Sequence, residues 1–549
     1  MTNAARLVSR LVERTRASGY LAPDHALAAA GTLLEARPLT PVLAALGSAL
    51  IRHAAIFDPF DRDTLRLARD VNHSLGHPPM GEWLDRAHQL TDAEPVPENI
   101  DLPDMQAASP DALIAYMQAQ PANACRYPAL LALWRLGARG QLLRAVEIMA
   151  ASPSGLLAGP VLAWGAYGAG EPLLARMLLD ESVPAFPGLN LRARLALDQG
   201  DMAAARQHLA ASLDAEPFQP AVIEQLAELA ESGPTAHPGP DTRICLYSWN
   251  KPDMLAQTVA ALDRTDLGEA RMTILNNGTT ACQPDELERR VRTGAQRLAQ
   301  TGRLEFVHLP VNVGAPAARN WLLSLPQVRE ARLVAFLDDD VLLPPHWLTR
   351  FAATLARHPE GVAVGAKCVN QGVRTIQYAF RTFHEIGERK IRLTPNAPTL
   401  MDLGQFDAAR PCLTVMGCCH LFAMERLRRL RVPDFDVRFS PSQVDDIEHD
   451  LQIWKAGGQV LYDGGVEVVH LQDTGSARTR ASLAQAYANH YKMEHKFDHS
   501  ELARMDRAVI RADRLHFLRA LDAVLPVLNS PAGTFWRMVR PLLLEALGE

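Results

Sequence analysis

The chain has 549 residues, 48% of them hydrophobic, and a formal net charge of -6. That length suits roughly two to four domains, and the apolar content excludes a disordered chain. The mild acidity excludes a surface-wide electrostatic footprint for nucleic acid.

Residues 1–120 predict a helical region. Leu7, Leu11, Leu21, Leu27, Leu33 and Leu34 sit among Ala, Arg and Glu without any alternating β-branched pattern, and breaks fall at Pro38, Pro59, Pro78 and Pro95. The first residues carry Arg6, Arg10, Glu13 and Arg14 and no apolar run, so no signal peptide is expected.

Residues 121–232 contain an internal repeat. Gly140, Gly170 and Gly200 share one spacing, as do Ala145, Ala175 and Ala205, and the apolar Met149, Leu179 and Leu209. A small residue at a turn, a small residue at a helix crossing and an apolar anchor one turn later describe a helix–turn–helix unit. The last copy, Leu195 to Asp201 with Ala204, Ala205 and Ala210, resembles a tetratricopeptide repeat. Such arrays form solenoids whose concave face holds peptide or protein; the alternative is a helical packing domain without a ligand. Ala151 to Gly170 is uncharged, but Pro153, Pro160 and several glycines favour a helical repeat over a membrane span. Residues 233–240, rich in Pro and Gly, read as a linker.

From 241 to 478 the pattern alternates strand and helix. Arg243 to Ser248, Met272 to Leu275, Leu304 to Leu309 and Leu333 to Leu337 are the predicted strands, and this order implies a doubly wound, mostly parallel α/β sheet. The fourth strand ends in Asp338, Asp339 and Asp340. Ligands of open α/β sheets sit beyond the carboxyl ends of strands. Three adjacent acids repel one another there unless a cation or a ligand's donors neutralise them, and hard oxygen donors suit Mg²⁺ or Mn²⁺. The alternative is an acidic turn capping the next helix. The seven cysteines are odd in number and contain no C-x-x-C, which fits reduced thiols in the cytoplasm. Residues 479–549 return to helix, with a basic-aromatic patch from Tyr487 to Phe497. The apolar faces of Leu515–Leu528 and Trp536–Leu547 are expected to pack on the α/β domain, with peripheral membrane contact as the alternative.

Taken together, these motifs resemble a family 2 glycosyltransferase of the GT-A fold. The resemblance rests on Ser248-Trp249-Asn250-Lys251-Pro252, Asn276-Asn277-Gly278-Thr279, Asn312 to Asn320 and Asp338-Asp339-Asp340, the D-x-D position. It continues through Phe435 to Phe439, Asp445-Asp446 and His470. Two departures stand out: Asn276 replaces the family's usual Asp, and the acidic pair is Asp-Asp rather than Glu-Asp.

The resemblance implies a metal-dependent inverting transferase using Mn²⁺ or Mg²⁺ and a nucleotide-sugar donor, UDP-linked by expectation. The acceptor would be a protein, held by the helical repeats, or a surface glycan. Asp338, Asp340 and His470 are the expected metal ligands. Ser248, Asn250, Asn276, Gly314, Arg319, Asp338 and Asp339 are the expected nucleotide-sugar contacts. Asp446 is the expected base, with Asp445 as the alternative. Two other readings stay open: an interaction protein with a degenerate GT-A domain, and a nucleotidyltransferase.

Overall fold

The computed structural model describes residues 1–75, 78–93, 104–105, 107–230, 237–387, 390–397, 401–471, 480–528 and 531–548. Among these, everything before residue 231 that is regular is helix, from Asn3–Ser18 to Pro220–Ala230. In the repeat region, Ala145, Ala175 and Ala205 are fully buried and Met149, Leu179 and Leu209 lie in the core beside them. Gly170 and Gly200 occupy left-handed turns, with φ 81 and 76. Gly140 does not: it lies inside the helix Arg139–Ala150, and Gly137, with φ 66, makes the turn instead. Only the glycine that must adopt positive φ marks the turn, so the even spacing points three residues too far in the first unit.

The strands are β1 (Thr242–Ser248), β2 (Arg271–Asn277), β3 (Leu304–Leu309), β4 (Leu333–Leu337), β5 (Val341–Leu342), β6 (Gly361–Asn370), β7 (Ile376–Tyr378), β8 (Phe383–Gly387), β9 (Lys390–Leu393), β10 (Ala409–Cys412), β11 (Cys419–Ala423) and β12 (Gln459–His470), and all but β8 and β9 form one sheet. Its main path runs β10-β12-β6-β11-β4-β1-β2-β3, while β8 and β9 form a separate hairpin. Strands β1 to β4 are mutually parallel, as are β6 and β12; β11 runs against β4 and β6, and β10 against β12. The sheet is therefore mixed, with most strands pointing one way. β4, buried at every residue, lies at its centre, which is where an uninterrupted apolar run belongs.

The described part of the linker is not a free tether. Pro238 is buried, and its carbonyl accepts from Glu269 N at 3.0 Å. The helical region is docked on the sheet by polar contacts: Arg374 N donates to Gly168 O at 2.7 Å and Gln225 Nε2 to Gly404 O at 2.7 Å. Between them lies a buried ionic cluster. Lys367 Nζ reaches Asp402 at 2.8 Å, Asp407 at 2.5 Å and Glu467 at 3.3 Å, while Arg194 reaches Asp407 at 3.2 Å.

The C-terminal helices depart from expectation. His499–Val524 spans two cores. Leu502, Met505 and Val509 pack with the sheet, but Phe517, Leu521 and Val524 join Val8, Leu11 and Leu50 in the helical core, together with Trp536, Val539 and Leu543. Arg16 pairs with Glu224 at 2.5 Å and with Asp513 at 2.7 Å, and Asp513 also pairs with Arg410 of β10 at 2.7 Å. The chain's end thus closes on its beginning. Among the described residues no helix is long and apolar enough to cross a membrane; the uncharged stretch noted above forms the buried helix Gly155–Gly168.

Candidate metal and transfer site

The acids at the end of β4 are brought together with a histidine far along the chain by strand pairing. β5, directly after Asp340, pairs antiparallel with the end of β12, matching Val341 to His470. Leu471 N donates to Asp340 O at 2.8 Å and fixes the register. One ligand atom each from Asp338, Asp340 and His470 lies within 4.8 Å of the other two. His470 Nε2 is 3.2 Å from Asp340 Oδ1. His470 Nδ1 is buried without a hydrogen-bond partner among the described residues. Asp339 turns the other way, accepting from Ser248 Oγ at 2.5 Å and facing Lys251 Nζ at 3.4 Å. The strand ends at Leu337, and Asp339 and Asp340 form a turn, so the turn sets this arrangement, not the strand alternation that the sequence suggests.

The electrostatics follow from burial and neighbours. Burial pushes the Asp338 carboxyl up to about 7, against the pull of Arg319. Burial also acts on Asp340, but His470 and Lys251 outweigh it and hold that carboxyl below its usual value. His470 moves up, because Asp340 outweighs the cost of burying its charge. Two carboxylates and an imidazole are hard oxygen donors with one borderline nitrogen, a donor set that fits a divalent cation such as Mn²⁺. The unpartnered ring nitrogen of a buried histidine agrees with a group that has work to do besides packing.

Lys251 is a residue that the sequence-based site leaves out. Its Nζ lies 3.2 Å from Asp340 Oδ2 as well as near Asp339. The only signal was its place in the loop after β1, on the same edge as the acids. Tyr247 is another: its hydroxyl donates to Asp338 Oδ1 at 3.3 Å.

The second acidic pair opens the helix Asp445–Lys455. Its two members differ. Asp445 is buried and makes a short ion pair with Arg319, and burial pushes its carboxyl up to about 6, partly countered by Arg319. Asp446 is half-buried; its Oδ2 accepts from Gly417 N at 2.9 Å. Arg319 therefore does not lie on the surface. It sits between the Tyr247 and Phe435 rings, at 5.2 and 5.1 Å, and its Nη2 is 4.0 Å from Asp338.

The remaining expected contacts line the same edge but are engaged within their loops. Asn250, at φ 56, accepts on Oδ1 from Thr280 N at 2.7 Å and Ala281 N at 3.2 Å. Asn276 is buried; it accepts from Thr279 N at 2.9 Å and its Nδ2 meets His308 Nδ1 at 3.2 Å. Gly314 has φ 82, and a Cβ there would lie 3.1 Å from Pro441. Trp347 is core: it is fully buried and donates to Thr265 Oγ1 at 3.3 Å. In the basic-aromatic patch, Lys496 pairs with Glu448 and with Asp436, each at 2.5 Å, while Tyr487 and Tyr491 stay exposed. The adjacent Cys418 and Cys419 are buried free thiols.

Residues 244–430 match the family model for glycosyl transferase family 2. The matched segment contains the β4 acids; Asp445, Asp446 and His470 lie beyond it. Among solved structures, a similar one is GalNAc-T7 with UDP, GalNAc and Mn²⁺, at 12% identity and a TM-score of 0.36, covering 56% of this chain and 56% of that one. The chain thus spans about half the length of that structure. Another is the mannosyltransferase PcManGT from Pyrobaculum calidifontis in complex with GDP-Man and Mn²⁺, at 17% identity and a TM-score of 0.34, covering 62% of this chain and 96% of that one. No curated protein matches the chain.

Proposed function

We propose that the chain is a metal-dependent, inverting glycosyltransferase that moves a sugar from a nucleotide-sugar donor, UDP-linked by preference, to a hydroxyl of a protein or surface glycan. One observation carries the reading: Asp338, Asp340 and His470 converge at the end of the central strand of a family 2 domain. A scaffold that had lost its chemistry would have no reason to keep a half-buried and a buried carboxylate beside a buried imidazole.

Asp338, Asp340 and His470 are the residues that would hold Mn²⁺ or Mg²⁺. When bound, the ion supplies positive charge where the nucleoside diphosphate departs. The protein does the rest. Lys251 offers a second cationic group beside Asp339 and Asp340. The loops of Ser248, Asn250, Asn276 and Gly314 lie along the same edge and would border the nucleotide.

Asp446 takes the proton of the attacking hydroxyl. It is the more accessible of the acidic pair and makes no ion pair among the described residues; its oxygens accept from Gly417 N and Ile447 N, and each keeps a lone pair for the hydroxyl proton. Asp445, committed to Arg319, orients the helix instead. Single attack from the side opposite the leaving group inverts the anomeric carbon. We place the enzyme in the cytoplasm, which its free cysteines suit, and we assign the helical array, docked on the sheet, to holding a protein acceptor. The test is a screen for nucleoside diphosphate release from UDP-, GDP- and dTDP-sugars with Mn²⁺; no turnover and no metal-dependent nucleotide binding with any donor contradicts the reading.

A further inference from the structure

The turn that delivers Asp445 and Asp446 does not hold its own shape. Gln443 and Val444 have φ 77 and 70, in the left-handed region that Gly and Asn favour and a β-branched residue seldom adopts. The helix that follows has no side-chain cap at Val444. At its end the Asp445 carboxylate accepts from the Gln443 backbone; a group outside the turn supplies the remaining restraint.

That group is Asn489, in the helix Arg480–Lys496. Its side chain is fully buried. Nδ2 lies 2.9 Å from each of three carbonyl oxygens, those of Phe439, Ser442 and Gln443. Oδ1 accepts from Gln485 Nε2 at 3.0 Å and from Lys492 Nζ at 3.0 Å. An amide whose nitrogen meets only acceptors and whose oxygen meets only donors has one orientation. Lys492 also donates to Arg438 O at 2.7 Å. On its other side the turn meets the glycine loop, where Ala315 N donates to Pro441 O at 2.7 Å. Residues 439–444 are thus the junction between the glycine loop and the acid-bearing helix.

We propose that Asn489 is a positioning residue: its amide holds the Ser440–Val444 turn in the shape that sets Asp446 against Gly417 and Asp445 against Arg319. Its consequence for turnover rests on the reading of Asp446 as the base; its structural consequence does not.

Asn489→Asp tests it. The side chain keeps its size, but an ionised carboxylate faces three carbonyl oxygens, whereas a protonated one donates again. Amide exchange at Gly417 and Glu448, whose N–H groups bond Asp446 Oδ2 and Val444 O, is expected to speed up in the variant near neutral pH, with Mn²⁺ binding unchanged. Transfer is expected to fall about tenfold to a hundredfold, with donor KM little changed, and to recover as pH is lowered relative to the wild-type profile. Gln443→Gly, at an exposed position where glycine takes positive φ freely, is expected to restore protection and part of the rate in the Asn489→Asp background.

Unchanged exchange at Gly417 and Glu448, or wild-type transfer by the variant, overturns the proposal. If the wild type transfers from no donor, the transferase reading fails and the exchange measurement still decides the role of Asn489. If Asn489→Asp does not fold, Gln443→Gly alone is measured: slower exchange at Glu448 supports a strained turn under restraint, and unchanged or faster exchange overturns it.

Discussion

Arg319 and Asp445 form a buried ion pair, with only 6% and 4% of their side chains exposed, and it joins the helix after the glycine loop to the helix that presents Asp446. The guanidinium is also sandwiched between Tyr247 and Phe435 and faces Asp338. One cation thus touches the elements that carry both halves of the proposed chemistry.

Removing it leaves Asp445 and Asp338 without their counter-charge. Arg319→Met is expected to lower stability by about 3–5 kcal/mol, the usual cost of breaking a buried pair. Arg319→Lys should recover only part of this, because a point charge cannot reproduce the planar contact with two rings. Urea denaturation of the three proteins checks both statements; a loss under about 1 kcal/mol for Arg319→Met, the range of exposed pairs, contradicts them.

Asp445 also gives a pH dependence. Its carboxyl is pushed up by burial to about 6 from 3.8. The folded chain therefore binds this proton where the unfolded chain has lost it. The contribution of Asp445 to stability falls as pH rises from about 4 to about 6, and is flat above. Asp445→Asn removes that titration. The stability difference between wild type and variant, measured from pH 4 to pH 7, is expected to decline over the lower part of the range; a difference that rises or stays level contradicts the assignment.

The closure of the chain on itself is testable at Trp536, which is fully buried and donates to Pro217 O at 2.9 Å. Trp536→Ala is expected to cost about 3–5 kcal/mol and to expose the N-terminal helices, not the sheet, to faster amide exchange. Faster exchange confined to β1–β4 would place these helices where the sequence alone put them.

Much of the α/β domain was legible because strands buried on both faces must be apolar runs, and β4 is such a run ending in three acids. Asp338 and Asp340 do lie together, but strand alternation was the wrong reason: β4 ends at Leu337, and Asp339 and Asp340 form a turn. His470 was reachable only through the family resemblance, since its approach to Asp340 depends on the two-residue strand β5 and its register with β12. Lys251 was missed because one lysine in a loop carries no periodic signal. The destination of the C-terminal helices was misjudged for a related reason. Amphipathic periodicity says that Phe517 and Trp536 are buried, not against what, and the partner is more than two hundred residues away in sequence at Pro217.

Asp446 and Asp445 separate on activity. Asp446→Asn is expected to reduce transfer by about 10²–10⁴-fold, the span of general-base contributions, while leaving metal and donor binding intact, because the amide keeps the bond from Gly417 N. Full transfer by Asp446→Asn, in a kinetic assay with an identified acceptor, moves the base elsewhere.

The proposed function turns on Asp338, Asp340 and His470 holding one divalent ion. The most direct measurement is Mn²⁺ binding by calorimetry, with thermal unfolding alongside, for the wild type, Asp340→Ala and His470→Ala. Saturable binding of one ion to the wild type is expected, with a stabilisation of about 2.7 kcal/mol at a hundredfold excess over Kd, and loss of both in each variant. Equal Mn²⁺ affinity in wild type and Asp340→Ala would contradict it.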